Sequence, residues 1–240
     1  MSIVIFSDLD DSMVQSERKT LNKITAEVIS NGKTSSHKTY ITQQQQKLLS
    51  LFKQYTFIPV TGRDFNALTN LTLNLNSYKI IDHGCMILDA DDQIIPESQK
   101  ILDTECPKWE PIFIRLHQQV QEAIQNDGYE LRTRLIYDRG HFCYLSIKGN
   151  IKCINRLKGE LDLLHKHPEC KMHINDRNMA LMPPYASKIN SVKILQQHYQ
   201  NIDPHTLFVG LGDSLTDLPF MQTCHFTMMP SNCQITEETQ

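Results

Sequence analysis

Asp8-Leu9-Asp10-Asp11-Ser12 stands directly after a short apolar, β-branched run, Ile3 to Phe6. Two carboxylates one residue apart can divide labour. One attacks as an ionised nucleophile while the other, held protonated, donates to a leaving group. Turns and helix caps also favour Asp and Ser, so this motif alone leaves both readings open. A second acidic group, Gly210-Leu211-Gly212-Asp213-Ser214-Leu215-Thr216-Asp217, follows the run Thr206 to Val209. There Asp213 can join Asp8 around an oxygen-loving cation such as Mg²⁺, although a capped glycine turn has the same composition. Thr61-Gly62-Arg63 closes the run Thr56 to Val60. The Thr61 hydroxyl and the Gly62 N–H can bind a phosphate oxygen, though a strand followed by Thr-Gly is more often a plain turn. Lys188 opens a helical stretch, and its ammonium can neutralise a phosphoryl group and a nucleophile together. Most lone lysines are solvated.

These residues need elements to position them. The four runs Ile3 to Phe6, Thr56 to Val60, Tyr78 to Ile81 and Thr206 to Val209 read as buried parallel strands. Helical stretches separate them. Thr42-Gln-Gln-Gln45 resembles a capping box opening a helix through about Gln54. Asp64 to Leu75 is a second, and Lys188 to Tyr199 carries Ile189, Val192 and Leu195 at helical spacing. Alternation of this kind implies an α/β, Rossmann-like parallel sheet, in which ligands bind beyond the carboxyl ends of the strands.

The middle of the chain differs. Glu105 to Gln125 is an amphipathic helix with Trp109, Ile112, Leu116, Val120 and Ala123 on one face. Glu130 to Tyr137 and His141 to Lys148 form a hairpin across Asp138-Arg139-Gly140. A helix marked by Ile151, Ile154, Leu157, Leu161 and Leu164 follows, then strands Lys171 to Ile174 and Met179 to Met182 around a polar turn. Helix, hairpin, helix, hairpin describes an inserted α+β domain, residues 83–184, between hinges at His83-Gly84 and Pro183-Pro184. Residues 1–82 and 185–240 then make up a discontinuous core. Ala26 to Thr42, with Asn31-Gly32, reads as a small projecting hairpin, and the polar tail from Ser231 as disordered.

Composition narrows the function. A net charge of -3 gives no global reason to expect nucleic acid, and 40% hydrophobic with 21% charged residues is ordinary for a globular protein. No apolar run approaches the roughly 20 residues that span a bilayer. Seven cysteines without a C-x-x-C pair suit reduced thiols and a cytoplasmic location. His165, His167, Cys170 and His173 read as a polar surface loop rather than a zinc site.

In this order the four motifs resemble the haloacid dehalogenase-like (HAD) superfamily. The insertion resembles the αββαββ cap of its Cof-type, sucrose-phosphatase-like branch. The resemblance implies a phosphatase for a small phosphorylated metabolite, a sugar phosphate above all. Asp8 would be nucleophile and Mg²⁺ ligand, and Asp10 the general acid/base, with its main-chain carbonyl on the metal. Asp213 would be a carboxylate ligand and Asp217 a further ligand or its support, while Thr61, Gly62 and Lys188 hold phosphoryl oxygens. In the cap, Arg132, Arg134 and Arg177, with Tyr144 and Asn175, are candidate contacts for the leaving group. The family often has Gly at the place of Asp11, Asn at that of Thr216, and a closing helix beyond Met229-Pro230. A sugar phosphomutase, a non-enzymatic sugar-phosphate-binding module and a receiver domain are alternatives. The long insertion and the Gly-Asp-Ser-x-x-Asp loop weigh against the receiver.

Overall fold

The computed structural model describes residues 2–16, 26–30, 38–161, 163–175 and 177–238. In chain order, β1 (Ile3–Ser7) leads to β2 (Gln15–Ser16), β3 (Ala26–Val28), β4 (Thr39–Thr42) and α1 (Gln43–Phe52). Next come β5 (Thr56–Pro59), α2 (Phe65–Thr69), β6 (Lys79–Ile81) and β7 (Met86–Leu88). The middle holds α3 (Pro96–Asp127), β8 (Leu131–Asp138), β9 (His141–Gly149), α4 (Ile151–Glu160), α5 (Leu163–Lys166), β10 (Lys171–Asn175) and β11 (Asn178–Met182). The chain closes with α6 (Lys188–Ile202), β12 (Leu207–Leu211), α7 (Leu218–Met221), β13 (Phe226–Met228) and α8 (Gln234–Glu238). Two compact units result, Met1–Ile95 with Ser187–Gln240, and Pro96–Ala186. The residues from His83 to Ile95 therefore lie in the first unit, beyond the boundary expected from the sequence.

In the first unit a parallel sheet runs in the order β13-β12-β1-β5, and a parallel bridge from Val60 to Ile80 adds β6 beyond β5. The central strands are apolar along their length because both faces are covered. Val4, Phe6, Ile58 and Phe208 join Val192 and Leu195 of α6 and Phe220 and Met221 of α7 in one buried cluster. Ile235 of α8 and Cys233 belong to it too, so the stretch expected to be a disordered tail is anchored. Two buried residues reaching the core outweigh their polar surroundings there.

Thr42 and Gln45 form the reciprocal capping box at the start of α1, with the Gln45 N–H donating to Thr42 Oγ1 at 3.3 Å and the Thr42 N–H to Gln45 Oε1 at 3.0 Å. The expected hairpin after β1 is partly visible. Strands β3 and β4 pair antiparallel, with β2 on the other side of β4, while Asn31-Gly32 lies outside the described residues. Helix α2 ends at Thr69, short of the expected Leu75.

The second unit is a four-stranded antiparallel sheet, β10-β11-β9-β8, with helices against it. Helix α3 begins nine residues before the expected Glu105, and Pro107 and Pro111 sit four apart on its exposed side. Its buried face is Leu102, Cys106, Phe113, Leu116 and Val120, with Trp109 and Ile112 only partly covered. A register shift between Ile136 and Tyr137 turns the pleat so that Tyr137 and Phe142 meet α3. There Tyr137 donates to Glu110 at 2.7 Å and Phe142 lies 5.1 Å from Phe113. Among the described residues no helix is long and apolar enough to cross a membrane.

Candidate active site

Pairing of β1 between β5 and β12 brings the loops after all three strands to one end of the sheet. Ser7 is level with Pro59 on one side and Leu211 on the other, and the Asp8 N–H donates to Leu211 O at 2.8 Å. Asp8 is thus the first residue past the central strand, and only 6% exposed. Lys188, first residue of α6, extends Nζ to Asp8 Oδ1 and to Asp217 Oδ1, each at 2.7 Å. Two glycines clear the ground. A Cβ on Gly84 would lie 2.3 Å from the Lys188 backbone nitrogen, and one on Gly212 would lie 2.5 Å from Asp217 Cβ. Gly84 O also accepts from Ser191 Oγ at 2.7 Å, fixing the first turn of α6 that presents the lysine.

Asp8, Asp213 and Asp217 each offer a carboxylate oxygen, all within 4.8 Å of one another. Asp217, 1% exposed, takes Ser214 Oγ at 2.6 Å on its second oxygen, and Asp213 accepts from Ser12 Oγ at 3.2 Å. Burial pushes the Asp8 carboxyl well above its ordinary value; Lys188 opposes this, while the charges of Asp217, Asp10 and Asp213 add to it. Burial likewise works against the Lys188 ammonium, but Asp217 and Asp8 outweigh it and raise its pKa. Asp217 ends below its ordinary value, since Lys188 and Ser214 overcome its burial.

Three carboxylates and one ammonium converge here. A divalent cation would offset the crowding of acidic groups. The donors are hard oxygens, the ligand type that Mg²⁺ takes. Asp8, Asp213 and Asp217 are the residues that would hold it.

Asp10 is placed differently. Its side chain is 45% exposed and is gripped by Arg63, with Nε to Oδ2 at 2.9 Å and a terminal nitrogen to Oδ1 at 2.6 Å. Arg63 also reaches Thr39 Oγ1 at 3.2 Å. Its own backbone N–H donates to the fully buried Thr61 hydroxyl oxygen at 3.1 Å, leaving that hydroxyl's proton to be given elsewhere. Gly62 lies under the His83 ring, which a Cβ would approach to 2.4 Å. Arg63 carried no role in the sequence reading beyond closing the Thr-Gly turn. Its position two residues after Thr61 was the one available signal, and the Asp10 pairing emerges only once β1 and β5 are neighbours.

Asp11 adopts φ +68°, the left-handed region that favours glycine, and its N–H donates to Val14 O at 2.7 Å. Aspartate tolerates this conformation better than most residues. Thr216 Oγ1 lies 2.8 Å from Ser214 Oγ, supporting the hydroxyl that holds Asp217. Arg132 and Arg134 fall on β8, and Arg177 in the turn between β10 and β11, all in the second unit and all exposed. Near the chain's histidines, burial pushes the Cys170 thiol up to about 12, and His167 stands edge-on to Trp109.

No protein-family model matches the chain, and no curated protein matches it. Solved structures do. A haloacid dehalogenase-like hydrolase from B. subtilis superposes with TM-score 0.60 at 12% identity, over 98% of this chain and 92% of that one. The sucrose-phosphatase of Synechocystis sp., in complex with sucrose and phosphate, gives 0.57 at 14% identity, over 100% and 96%. The C-terminal domain of C. albicans trehalose-6-phosphate phosphatase gives 0.58 at 15%, over 92% and 73%. At these identities the likeness is one of architecture. The chain has the haloacid dehalogenase-like fold, a Rossmann-like parallel core carrying an inserted α+β domain.

Proposed function

We propose that this protein is a Mg²⁺-dependent phosphatase of small phosphorylated metabolites, sugar phosphates above all, acting through an aspartyl-phosphate on Asp8. The observation that carries this reading is the convergence of Asp8, Asp213 and Asp217 within 4.8 Å of one another, with Lys188 bonded to Asp8 and Asp217. Likeness to a sucrose-phosphatase and a trehalose-6-phosphate phosphatase supports a phosphorylated sugar as substrate. Bound Mg²⁺, held by Asp8, Asp213, Asp217 and the Asp10 main-chain carbonyl, would supply charge neutralisation between nucleophile and phosphate.

A carboxylate oxygen of Asp8 attacks phosphorus in line, and the bond from phosphorus to the leaving oxygen breaks. A proton from Asp10 passes to that oxygen. Water then attacks the same phosphorus, Asp10 takes up its proton, and the bond to Asp8 breaks, releasing phosphate. Thr61 Oγ, the Gly62 N–H and Lys188 hold the non-bridging oxygens; losing one such contact costs about 10²–10³ in rate. Lys188 leaves its shared position between Asp8 and Asp217 only in part, because one ammonium can donate three ways. The two-pronged hold of Arg63 fixes where the Asp10 carboxyl stands, which makes Arg63 a positioning residue for the proton step.

Phosphate release should be measured from p-nitrophenyl phosphate and a panel of sugar phosphates, with Mg²⁺ and with excess chelator. We expect Mg²⁺-dependent release that chelator abolishes. Full activity in chelator would overturn the metal assignment, and migration of phosphate on the sugar without release would make the protein a mutase.

A further inference from the structure

Asp82, His83 and Gly84 follow β6, and all three have positive φ, +51°, +58° and +88°. Glycine takes this left-handed region freely, whereas a Cβ makes it costly, though Asp and His tolerate it better than most. Strained backbone of this kind persists only where its surroundings hold it, and it gathers at functional sites. Here the surroundings are the Thr61-Gly62-Arg63 loop. The Asp82 N–H donates to Arg63 O at 2.9 Å, and the His83 N–H to Thr61 O at 3.0 Å. Two successive N–H groups thus clasp the carbonyls that flank Gly62. An extended strand would point them to opposite edges, so the pair of bonds requires the turn.

Thr61 O and the Gly62 N–H belong to one planar, trans peptide unit. Holding the carbonyl on one side therefore fixes the direction of the N–H on the other. The His83 side chain restricts what freedom remains. A Cβ on Gly62 would lie 2.4 Å from His83 Cε1, 2.8 Å from Nε2 and 2.9 Å from Nδ1. The imidazole fills the space that a side chain at 62 would occupy, and so packs the one residue of the loop that has none. At the far end of the turn, Gly84 O accepts from the Ser187 N–H at 3.3 Å and from Ser191 Oγ at 2.7 Å. Three residues therefore tie the loop after β5 to the start of α6, where Lys188 stands.

We propose that this turn positions the phosphate-binding loop, with His83 a positioning residue that holds the Gly62 N–H on a phosphoryl oxygen. This rests on the phosphatase reading and extends it, from the groups that touch phosphate to the one that sets their direction. The strain at Asp82 and His83 is then part of the site, because relaxing it would release both carbonyl contacts to the loop.

The test is His83→Ala, assayed with p-nitrophenyl phosphate and glucose 6-phosphate. Alanine fits the left-handed region poorly and takes the ring away from Gly62. We expect kcat/KM to fall about ten- to a hundredfold, the usual range for a residue that orients a functional group. The factor should be the same for both esters, because they present the same phosphoryl group; a loss confined to one would overturn the proposal. His83→Asn tolerates the left-handed turn and keeps a planar polar group, so its kcat/KM should stand at least about threefold above that of alanine. Asparagine no better than alanine would overturn the proposal, and so would a lowered Tm with kcat/KM per folded molecule unchanged. Absence of phosphate release from both esters in the wild type would sink the phosphatase reading instead. Calorimetry with inorganic phosphate and Mg²⁺ then decides the role of the turn. Phosphate bound by the wild type, and about tenfold or more weakly by His83→Ala, supports it; equal binding, or none in the wild type, ends it.

Discussion

The two charged regions of this protein are built on opposite plans. Around Asp8 the charges are buried and crowded, and Lys188 and Asp217 are held by short hydrogen bonds. On the sheet of the second unit, Arg132, Arg134 and Lys148 are exposed and make no hydrogen bond or ion pair among the described residues. Groups that must meet a reacting atom gain from being fixed in advance, because reorganisation during the reaction is avoided. Exposed cations instead keep their hydration and their rotamer freedom. The first region stores electrostatic tension in a rigid frame, and the second stores it in long side chains.

Asp8→Asn attacks the rigid frame at its centre and carries the largest expected effect. Turnover should fall by on the order of 10⁴-fold or more, as when other enzymes lose a nucleophile. The amide keeps the shape and relieves a carboxyl strained by burial, so Tm should hold or rise. Near wild-type kcat in this variant would remove Asp8 from the chemistry.

Arg63→Ala tests Asp10, whose side chain is 45% exposed. The expected loss is about ten- to a hundredfold, the usual range for a residue that orients a functional group. It should be larger for alkyl than for aryl phosphates, because only the poorer leaving groups need the proton from Asp10. Equal loss on both would mean that Arg63 touches the phosphoryl group rather than acting through Asp10. Arg63→Lys should recover little, since an ammonium cannot make the two-pronged contact seen at 2.9 and 2.6 Å.

Asp11→Gly is the smallest change. At φ +68° glycine avoids the Cβ clash, so the folded state should gain up to about 1 kcal/mol, partly offset by the freer unfolded chain. Chemical denaturation would show it. A clear loss of stability would mean that the Asp11 carboxylate, and not merely its backbone, supports the loop.

What could be read from the sequence follows from which signals are local. The strands β1, β5 and β12 were legible because burial on both faces writes a continuous apolar run, and the Thr42–Gln45 box because its partners lie three residues apart. The Asp8 and Asp213 motifs stood out because each follows such a strand. Arg63 did not, since its partner Asp10 is 53 residues away and only the register of β1 with β5 unites them. Ile235 was missed for the opposite reason: one apolar residue in a polar stretch has no period to betray it, yet it enters the core cluster. On β8 and β9 the alternation implied that some of the candidates face solvent without saying which, and the meeting of Arg132 with Lys148 required the hairpin register.

The place where the inserted unit leaves the first and returns to it bears on how such a protein can change over time. The chain departs after Ile95, whose N–H donates to Ile87 O at 3.1 Å, and it comes back at Ser187, whose N–H donates to Gly84 O at 3.3 Å. Both anchoring carbonyls belong to one short stretch, three residues apart. For the first unit, then, everything from 96 to 186 amounts to a loop whose ends are already pinned together. Loop-closure entropy grows only with the logarithm of length, so a whole domain there costs little more than a short connection. An insert in such a socket could be lengthened, trimmed or exchanged without disturbing the pairing of the parallel sheet.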